Sequence, residues 1–331
     1  MPELHYDGGQ QWILNLTLAM MILGLALDIH PREFLKVFKS PKAPAIGLAA
    51  QFLLLPALTC GLTLLLDLPA GIELGMILVA ACPGGALSNF ITHLSGGNTA
   101  LSISITAISS TLAIVMLPIN FVFWASMNPV ANELMLSINV SGTDIAKSLL
   151  VVLAAPLALG FLMQHYTPNF SRRLHAVLKY LSLIALCLFI FIAVFKNYEH
   201  FISNFWILFA AVLTHNVLAM GIGYGSASIG KLPTADKKAI TLEVGMQNSS
   251  LAIAIVFTQF NAEYGMALIS AFWGTWHIVS GISFAGICRY LDNKKVNRIR
   301  KVASELGEKY NVGIDQTVLI INMIKSSVRL P

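Results

Sequence analysis

Long runs of apolar residues, each about as long as a membrane-spanning helix, recur from Trp12 to Tyr290 and are separated by short polar connectors. A helix needs about 20 mostly apolar residues to cross the hydrocarbon core of a bilayer. The pattern therefore predicts an all-α polytopic membrane protein. The nine predicted spans are residues 12–30, 43–66, 71–95, 99–125, 143–166, 174–195, 204–228, 236–260 and 264–290.

The composition agrees with this pattern. Of the 331 residues, 56% are hydrophobic and 11% are charged, and the mean hydropathy is +0.74. One soluble core does not need so much apolar material, so much of it must face lipid. The chain start lacks the basic segment of a cleavable signal peptide, so we expect it to be retained. The cysteines lack metal-ligand spacing and are interpreted as packing residues: Cys60, Cys82, Cys187 and Cys288.

The basic residues predict an orientation. Of the 21 Lys and Arg, all but Lys147 and Lys196 fall on one side of the predicted spans. Short loops rich in Lys and Arg stay on the cytoplasmic side. We therefore expect an integral protein of the cell membrane with its N-terminus outside, its C-terminus inside and a cytoplasmic basic tail at residues 291–331.

Two predicted spans contain segments that interrupt the helical pattern. The third carries the string CPGGALSN and the eighth carries EVGMQNSS. Such backbone is tolerated at membrane depth only where it is buried in protein or lines a wet cavity. Each span is second in a run of three, the first run ending at an outer loop at about 126–142, and the two have opposite orientations. They are predicted to be corresponding elements of inverted repeats, which are typical of secondary carriers.

Glu243 lies inside the second interrupted segment. A carboxylate at the centre of a span costs about 3 kcal/mol on insertion scales. No Lys or Arg is expected at the same depth, so a bound cation or a proton must compensate the charge. The two segments also supply side chains with the oxygen ligands that hard monovalent cations use: Ser88, Asn89, Gln247, Asn248, Ser249 and Ser250.

Other polar residues inside predicted spans have two interpretations. Ser102 and Thr106 are four residues apart, hence on one helical face, and either reach the same centre or hydrogen-bond to their own helix. Gln51 either bonds a neighbouring helix or ligates an ion, because an unpaired buried amide is costly. His215 with Asn216, and His277, are further intramembrane polar residues, and a lone histidine at such a place is interpreted first as a packing residue.

Catalytic and ATP-driven functions lack their motifs. An intramembrane protease needs either a nucleophile with a base or two deep carboxylates. Only one deep carboxylate is visible, and the candidate pairs of nucleophile and base are Ser88 or Ser249 with His215. No GxSxG string supports such a pair, so we expect no enzyme. No GxxxxGK[ST] string occurs either, so a gradient must drive transport.

The strings CPGGALSN, SISIT and EVGMQNS occur in this order at the predicted breaks and resemble the signatures of the bile acid:sodium symporter family. The likeness extends over most of residues 12–290. It implies a panel domain, a core domain with two crossing broken helices, and alternating access between them. The panel would comprise residues 12–30, 143–166 and 174–195. The core would comprise residues 43–66, 71–95, 99–125, 204–228, 236–260 and 264–290.

The resemblance also implies two Na+ sites. The first would use the side chains of Ser88, Asn89, Ser102, Thr106 and Glu243. The second would use the side chains of Gln51, Glu243 and Gln247 with the backbone carbonyls of Val244 and Met246.

Three positions are implied to line the substrate cavity: Asn248, His277 and Ala86. At Ala86 some bacterial members carry a hydroxyl-bearing residue, so the chain departs from the pattern there and its substrate stays open. We expect symport of two Na+ with one organic anion, either bile-acid-like or a small carboxylate. The expected surroundings are the lipid bilayer, with no nucleic acid and no obligate protein partner. A proton-coupled carrier using Glu243 and a membrane sensor that binds without transporting remain as alternatives.

Overall fold

The computed structural model describes residues 39–310 except 139–141 and 197, together with isolated positions before residue 39. The predicted first span at 12–30 and the tail beyond residue 310 therefore lie largely or wholly outside the described residues. Within the described range the helices are α1 Lys42–Leu66, α2 Ala70–Ala81, α3 Ala86–Leu94, α4 Thr99–Met127, α5 Pro129–Ser137, α6 Gly142–Tyr166, α7 Pro168–Lys196, α8 Tyr198–Ile229, α9 Thr234–Gly245, α10 Ser249–Gln259 and α11 Tyr264–Tyr310.

Several of these helices are membrane spans by length and composition. In the part of the chain that the structure describes, the five that qualify are Lys42–Leu66, Thr99–Met127, Thr143–Tyr166, Phe205–Ile229 and Tyr264–Arg298. The chain is thus an all-α polytopic membrane protein, as predicted. Helix α2 has 12 residues and rises about 18 Å, which is less than the bilayer core of about 30 Å. It cannot cross the bilayer alone.

The chain divides into two compact units, Met1–Gly281 and Ile282–Pro331. In unit 1, apolar side chains of α2, α4, α6, α8, α10 and α11 form one buried cluster, and those of α1, α4, α8 and α9 form another. In unit 2, the described residues continue α11 past the predicted boundary at residue 290. The helix continues because the basic run from 291 to 301 contains neither proline nor glycine.

The predicted outer loop at about 126–142 contains a helix, α5. The side chain of Asn128 accepts a hydrogen bond from the amide of Ala131 at 3.0 Å, and Pro129 occupies the first helical turn, where proline is favoured. Ala131 and Met135, one turn apart, are buried. The Asn-Pro pair is therefore the start of a short docked helix rather than part of a loop.

Helix α1 contains one wide turn. Residues Ala50–Leu54 adopt π-helical geometry, and Gln51 and Phe52 in this turn are buried. Such turns inside α-helices are frequent at functional sites because the extra residue redirects the side chains that follow. The turn brings the amide of Gln51 into the centre of unit 1, as its contacts below show.

The elements around the two interruptions follow the same order. Pro69 precedes α2 and Pro233 precedes α9, and each of these helices has 12 residues. After the interruptions, α3 has 9 residues and α10 has 11. The long helices α4 and α11 follow, and Asn98 and Glu263 each cap the amide three residues ahead, at 3.1 and 2.7 Å. The two halves therefore repeat the same order of elements, and the inverted orientation of one repeat relative to the other stays a prediction.

Candidate functional site

The two helix interruptions pair with each other through their backbones. The amide of Gly85 donates to the carbonyl of Met246 at 3.0 Å, and the amide of Asn248 donates to the carbonyl of Pro83 at 2.9 Å. Together they form an isolated antiparallel bridge. A buried backbone group without a partner costs free energy at membrane depth. Each interruption therefore donates an amide hydrogen bond to a backbone carbonyl of the other interruption.

Four helix ends meet at this bridge. Helices α2 and α9 end there, and α3 and α10 begin there. The aligned peptide dipoles give a helix a partial negative charge at its C-terminus and a partial positive charge at its N-terminus. The crossing therefore offers carbonyl ends that favour a cation and amide ends that favour an anion.

Glu243 lies in the last turn of α9 at this crossing and is fully buried. The Ser88 hydroxyl donates to its Oε2 at 2.6 Å, and the Ser102 hydroxyl donates to the same atom at 3.2 Å. The Thr106 hydroxyl donates to Oε1 at 2.7 Å. Side chains from α3 and α4 thus surround the carboxylate of α9.

Asn89 completes this group. Its Oδ1 lies within hydrogen-bond distance of the hydroxyls of Ser102, at 2.8 Å, and Thr106, at 3.1 Å, so each hydroxyl has both Asn89 and Glu243 as acceptors for its one proton. The Thr106 hydroxyl also lies 3.0 Å from the carbonyl of Ser102 in its own helix, so it is within reach of both the centre and its own helix, as the two interpretations from the sequence require. The structure brings together the five residues of the predicted first site. One carboxylate, one amide and three hydroxyls form an oxygen-only ligand set, which suits a hard cation.

A second polar group lies beside the first. Gln51 Nε2 donates to Gln247 Oε1 at 2.6 Å and to the carbonyl of Cys82 at 2.8 Å. Gln247 Nε2 donates to the carbonyl of Val244 at 2.6 Å and to Gln51 Oε1 at 3.3 Å. The carbonyl of Met246 faces the amide at the other interruption. Gln51 thus bonds neighbouring helices, which is one of its two predicted roles.

The two polar groups are close along the chain, because Glu243 and Val244 are neighbours in the last turn of α9 and Gln247 follows in the interruption. In the described part of the chain, the hydrogen bonds of Glu243 run to the three hydroxyls and not to Gln51 or Gln247. The sharing of Glu243 between two ion sites therefore stays a prediction.

The predicted substrate residues occupy different positions around the crossing. Ala86 is the first residue of α3 and is exposed. Asn248 precedes α10, and its side chain accepts from the amide of Leu251 at 3.0 Å. These two residues lie at the helix starts on either side of the bridge. The side chain of Asn248 has a structural role as a helix cap, whatever else it binds.

His277 lies in α11 and is 8% exposed. It shares a helical face with Gly274 and Gly281, three residues before it and four after. A β-carbon at Gly274 would lie 2.9 Å from the Ser249 hydroxyl, and one at Gly281 would lie 3.1 Å from Met246. This face of α11 therefore packs against the second interruption, and His277 is placed beside it.

Two contacts were not predicted from the sequence. Gly84 was identified as a helix breaker, yet it also lies directly against the carboxylate of Glu243. The sequence assigns no partner to Asn216, and its Nδ2 donates to the carbonyl of Gly245 at 2.7 Å. The second contact joins residues 29 apart, and no local pattern indicates it.

Comparisons with known proteins agree with this geometry. Residues 15–204 match the model of the Sodium Bile acid symporter family. The chain is 31% identical over 278 residues to the uncharacterized sodium-dependent transporter YocS of Bacillus subtilis, covering 83% of each protein. It is 26% identical over 255 residues to the ileal sodium/bile acid cotransporter of Homo sapiens, covering 76% of this chain and 70% of that protein.

A plant protein is also similar. The chain is 27% identical over 248 residues to the probable sodium/metabolite cotransporter BASS2, chloroplastic, of Oryza sativa subsp. japonica, covering 75% of this chain and 57% of the rice protein. The family match spans more than half of the chain and includes the first interruption with Ser88, Ser102 and Thr106. The chain therefore belongs to the sodium bile acid symporter family, whose members are transporters and not enzymes.

Proposed function

We propose that this protein is a secondary carrier that uses the Na+ gradient to move a small organic anion across the cell membrane by alternating access. It crosses the membrane nine times, with the N-terminus outside and the C-terminus inside. The relatives' names support sodium coupling, since they include a sodium-dependent transporter and a sodium/bile acid cotransporter. The surroundings of Glu243 are the single observation that carries the proposal.

The first Na+ is assigned to the carboxylate group on α9. Glu243 is 0% exposed, and in the described residues no Lys or Arg lies within ion-pair distance of it. A buried carboxylate is costly unless its charge is compensated. A Na+ ion among Ser88, Asn89, Ser102, Thr106 and Glu243 would neutralise the charge and take oxygen ligands that are already in place.

The second Na+ is assigned to the neighbouring glutamine pair. Gln51 and Gln247 approach within 2.6 Å, with the carbonyl of Val244 beside them. Amide side chains carry a donor and an acceptor, and a rotation of the amides presents both Oε1 atoms to a cation. The carbonyls of Val244 and Met246 and the carboxylate of Glu243 would complete the site.

The anion is assigned to the starts of α3 and α10, where Ala86 and Asn248 lie and His277 is placed nearby. The amide ends of both helices favour negative charge. The relatives' names suggest bile acids and other metabolites as cargo. The alanine at position 86 offers no hydroxyl, so backbone amides and Asn248 supply the polar contacts.

A seam between proposed panel and core helices supports alternating access. Leu153 and Leu157 of α6 face Ala113 and Ile114 of α4 across a small pocket that Ile22 also lines. Residue 22 and α6 belong to the proposed panel, and α4 belongs to the proposed core. Apolar side chains line most of this pocket, so at this place one domain could move past the other with little loss of polar contact. Elsewhere on the same boundary, Ser148 of α6 hydrogen-bonds Gln259 of α10, and this contact would have to break.

The test needs no knowledge of the substrate. Purified full-length protein is melted in Na+ and in K+ at equal ionic strength and pH, as wild type, Glu243→Ala and the control Glu133→Ala, which alters an exposed glutamate of α5. A ligand that binds only the folded state stabilises it by about 2.7 kcal/mol at 100 times its Kd. We expect Na+ to raise the melting temperature of wild type and Glu133→Ala but not of Glu243→Ala.

Other outcomes separate the alternatives. Equal melting in both salts with a strong response to pH would indicate a proton-coupled carrier that uses Glu243. Na+ binding without accumulation of any carboxylate in proteoliposomes would indicate a sensor. Replacing Na+ by K+ at fixed pH in an uptake assay distinguishes the two couplings, because a proton-coupled carrier keeps its uptake.

A further inference from the structure

Three successive carbonyls at the end of α9 each have a donor from a different place. The carbonyl of Val244 accepts from the side chain of Gln247 at 2.6 Å, and that of Met246 accepts from the amide at the first interruption at 3.0 Å. The carbonyl of Gly245, between them, accepts from Asn216 Nδ2 at 2.7 Å. The end of a helix leaves carbonyls without intrahelical donors, so such partners determine where each carbonyl points.

Asn216 holds the middle carbonyl toward α8. It is 1% exposed and lies in the membrane interior. The carbonyl of Gly245 thus faces α8. The carbonyls of Val244 and Met246, before and after it, face Gln247 and the first interruption instead. These are the two carbonyls assigned above to the second Na+.

His215, the preceding residue, joins α8 to α1. Its Nε2 lies 2.7 Å from the hydroxyl of Thr59. The Thr59 hydroxyl also lies 2.7 Å from the carbonyl of Leu55 in its own helix. The histidine ring also packs on Trp273, with centroids 4.6 Å apart. Thr59 belongs to the same helix as Gln51, the side chain assigned to the second Na+ site.

Helices α8 and α9 approach too closely to slide independently. A β-carbon at Gly223 of α8 would lie 2.8 Å from the carbonyl of Ile240 and 2.8 Å from the Cα of Thr241. A β-carbon at Gly245 would collide with the side chain of Met220. The close backbone approach of α8 and α9 thus accompanies the hydrogen bonds that α8 makes through Asn216 and His215.

We propose that His215 and Asn216 form an interhelical clamp that positions α1 and α9 for binding of the second Na+. Neither residue is an ion ligand in this proposal; both are positioning residues. The inference rests on the proposed function, because it assigns a role in Na+ affinity. It gives a purpose to two buried polar side chains that the Na+ sites and the anion site do not use.

The test measures the Na+ concentration that gives half of the stabilisation in thermal melting. In Asn216→Leu, which keeps a similar volume but has no donor, we expect this concentration to rise roughly tenfold. Asn120→Leu is the matched control, since Asn120 is also a buried span residue but bonds only Trp124 in the described part of the chain. It should keep the wild-type concentration even if it melts at a lower temperature.

The His215 side of the clamp is tested separately. Thr59→Val removes the hydroxyl at nearly constant volume and should raise the half-saturating Na+ concentration, whereas Thr59→Ser keeps the hydroxyl and should restore it. These two Thr59 variants also test the clamp if Asn216→Leu does not fold.

The results separate a failure of the clamp from a failure of the proposed function. A wild-type Na+ response that is unchanged in Asn216→Leu or in Thr59→Val would overturn the clamp and leave the proposed function standing. An equal rise in Asn120→Leu would also overturn it, because general loosening would then explain the effect. A wild type that does not respond to Na+ would overturn the proposed function and the clamp with it.

Discussion

Gly84 of the first interruption lies against Glu243 of the second so closely that a β-carbon at position 84 would collide with the carboxylate oxygen Oε1. The residue that breaks α2 from α3 thus also makes room for the buried carboxylate. Gly84 therefore contributes both to the helix break and to the proposed ion site.

We expect Gly84→Ala to abolish the Na+-specific rise in melting temperature, because the methyl group displaces the carboxylate from the hydroxyls. Crowding of this kind typically costs about 1–3 kcal/mol of stability. Gly225→Ala in α8 is the control, since a β-carbon there meets nothing within 4 Å. Retention of the full Na+ response in Gly84→Ala would show that the carboxylate does not need its present position.

Thr106→Val should weaken Na+ stabilisation, while Thr106→Ser should retain most of it. The Thr106 hydroxyl contacts both Glu243 and Asn89, and its loss leaves a buried acceptor unpaired, at about 1–3 kcal/mol. Thr111→Val on the same helix is the control, because the hydroxyl of Thr111 bonds only its own helix in the described residues. Equal Na+ titrations for Thr106→Val and Thr111→Val would remove the threonine from the ligand set.

Gln51 and Gln247 should be energetically coupled. Their amides exchange hydrogen bonds across 196 residues of sequence, so Gln51→Leu and Gln247→Leu each leave the other amide short of a partner. We expect the double variant to be less destabilised than the sum of the single variants, by about 0.5–3 kcal/mol in denaturation measured in K+. Additive effects would contradict a direct interaction.

Transport of two Na+ with a monoanion moves one positive charge inward. Each net charge gains about 2.3 kcal/mol per 100 mV of inside-negative potential, which corresponds to about 50-fold in accumulation. Uptake into proteoliposomes with an imposed potassium diffusion potential should rise with that potential. If uptake is independent of the membrane potential, the substrate must be a dianion or only one Na+ must be carried in each cycle.

The proposed orientation places Lys147 outside and Lys231 inside. Both side chains are exposed, and Lys147 pairs only loosely with Asp144 at 3.6 Å. In a background without the four natural cysteines, Lys147→Cys should react with an impermeant maleimide applied to intact cells. Lys231→Cys should react only after the membrane is opened, and the reverse pattern would invert the topology.

The interruptions were predictable because their residues act locally. Pro83 and the following glycines cannot continue a helix favourably, and a lone carboxylate such as Glu243 requires a partner at membrane depth. The oxygens of Ser88, Asn89, Ser102 and Thr106 were expected around Glu243 by type and by family resemblance, and the structure gathers them there.

The remaining details depend on long-range packing. The wide turn at Ala50–Leu54 carries Gln51 and lies just before Pro56, which lacks the amide that would bond the carbonyl four residues earlier. The proline signals a distortion of the helix, but it does not specify a π-helical turn. The contact of Asn216 with Gly245 depends on how closely α8 and α9 pack. Helix α5 does have a local signal, because Asn128 before Pro129 is a pair that favours a helix start.

The two hydrogen bonds that join the interruptions are given by main-chain amides, those of Gly85 and Asn248. Every amino acid except proline supplies such an amide. The two hydrogen bonds that join the interruptions therefore do not depend on the chemistry of most side chains around them. Under the proposed function, the side chain at a neighbouring position such as Ala86 could change with the cargo while these two main-chain hydrogen bonds stay in place.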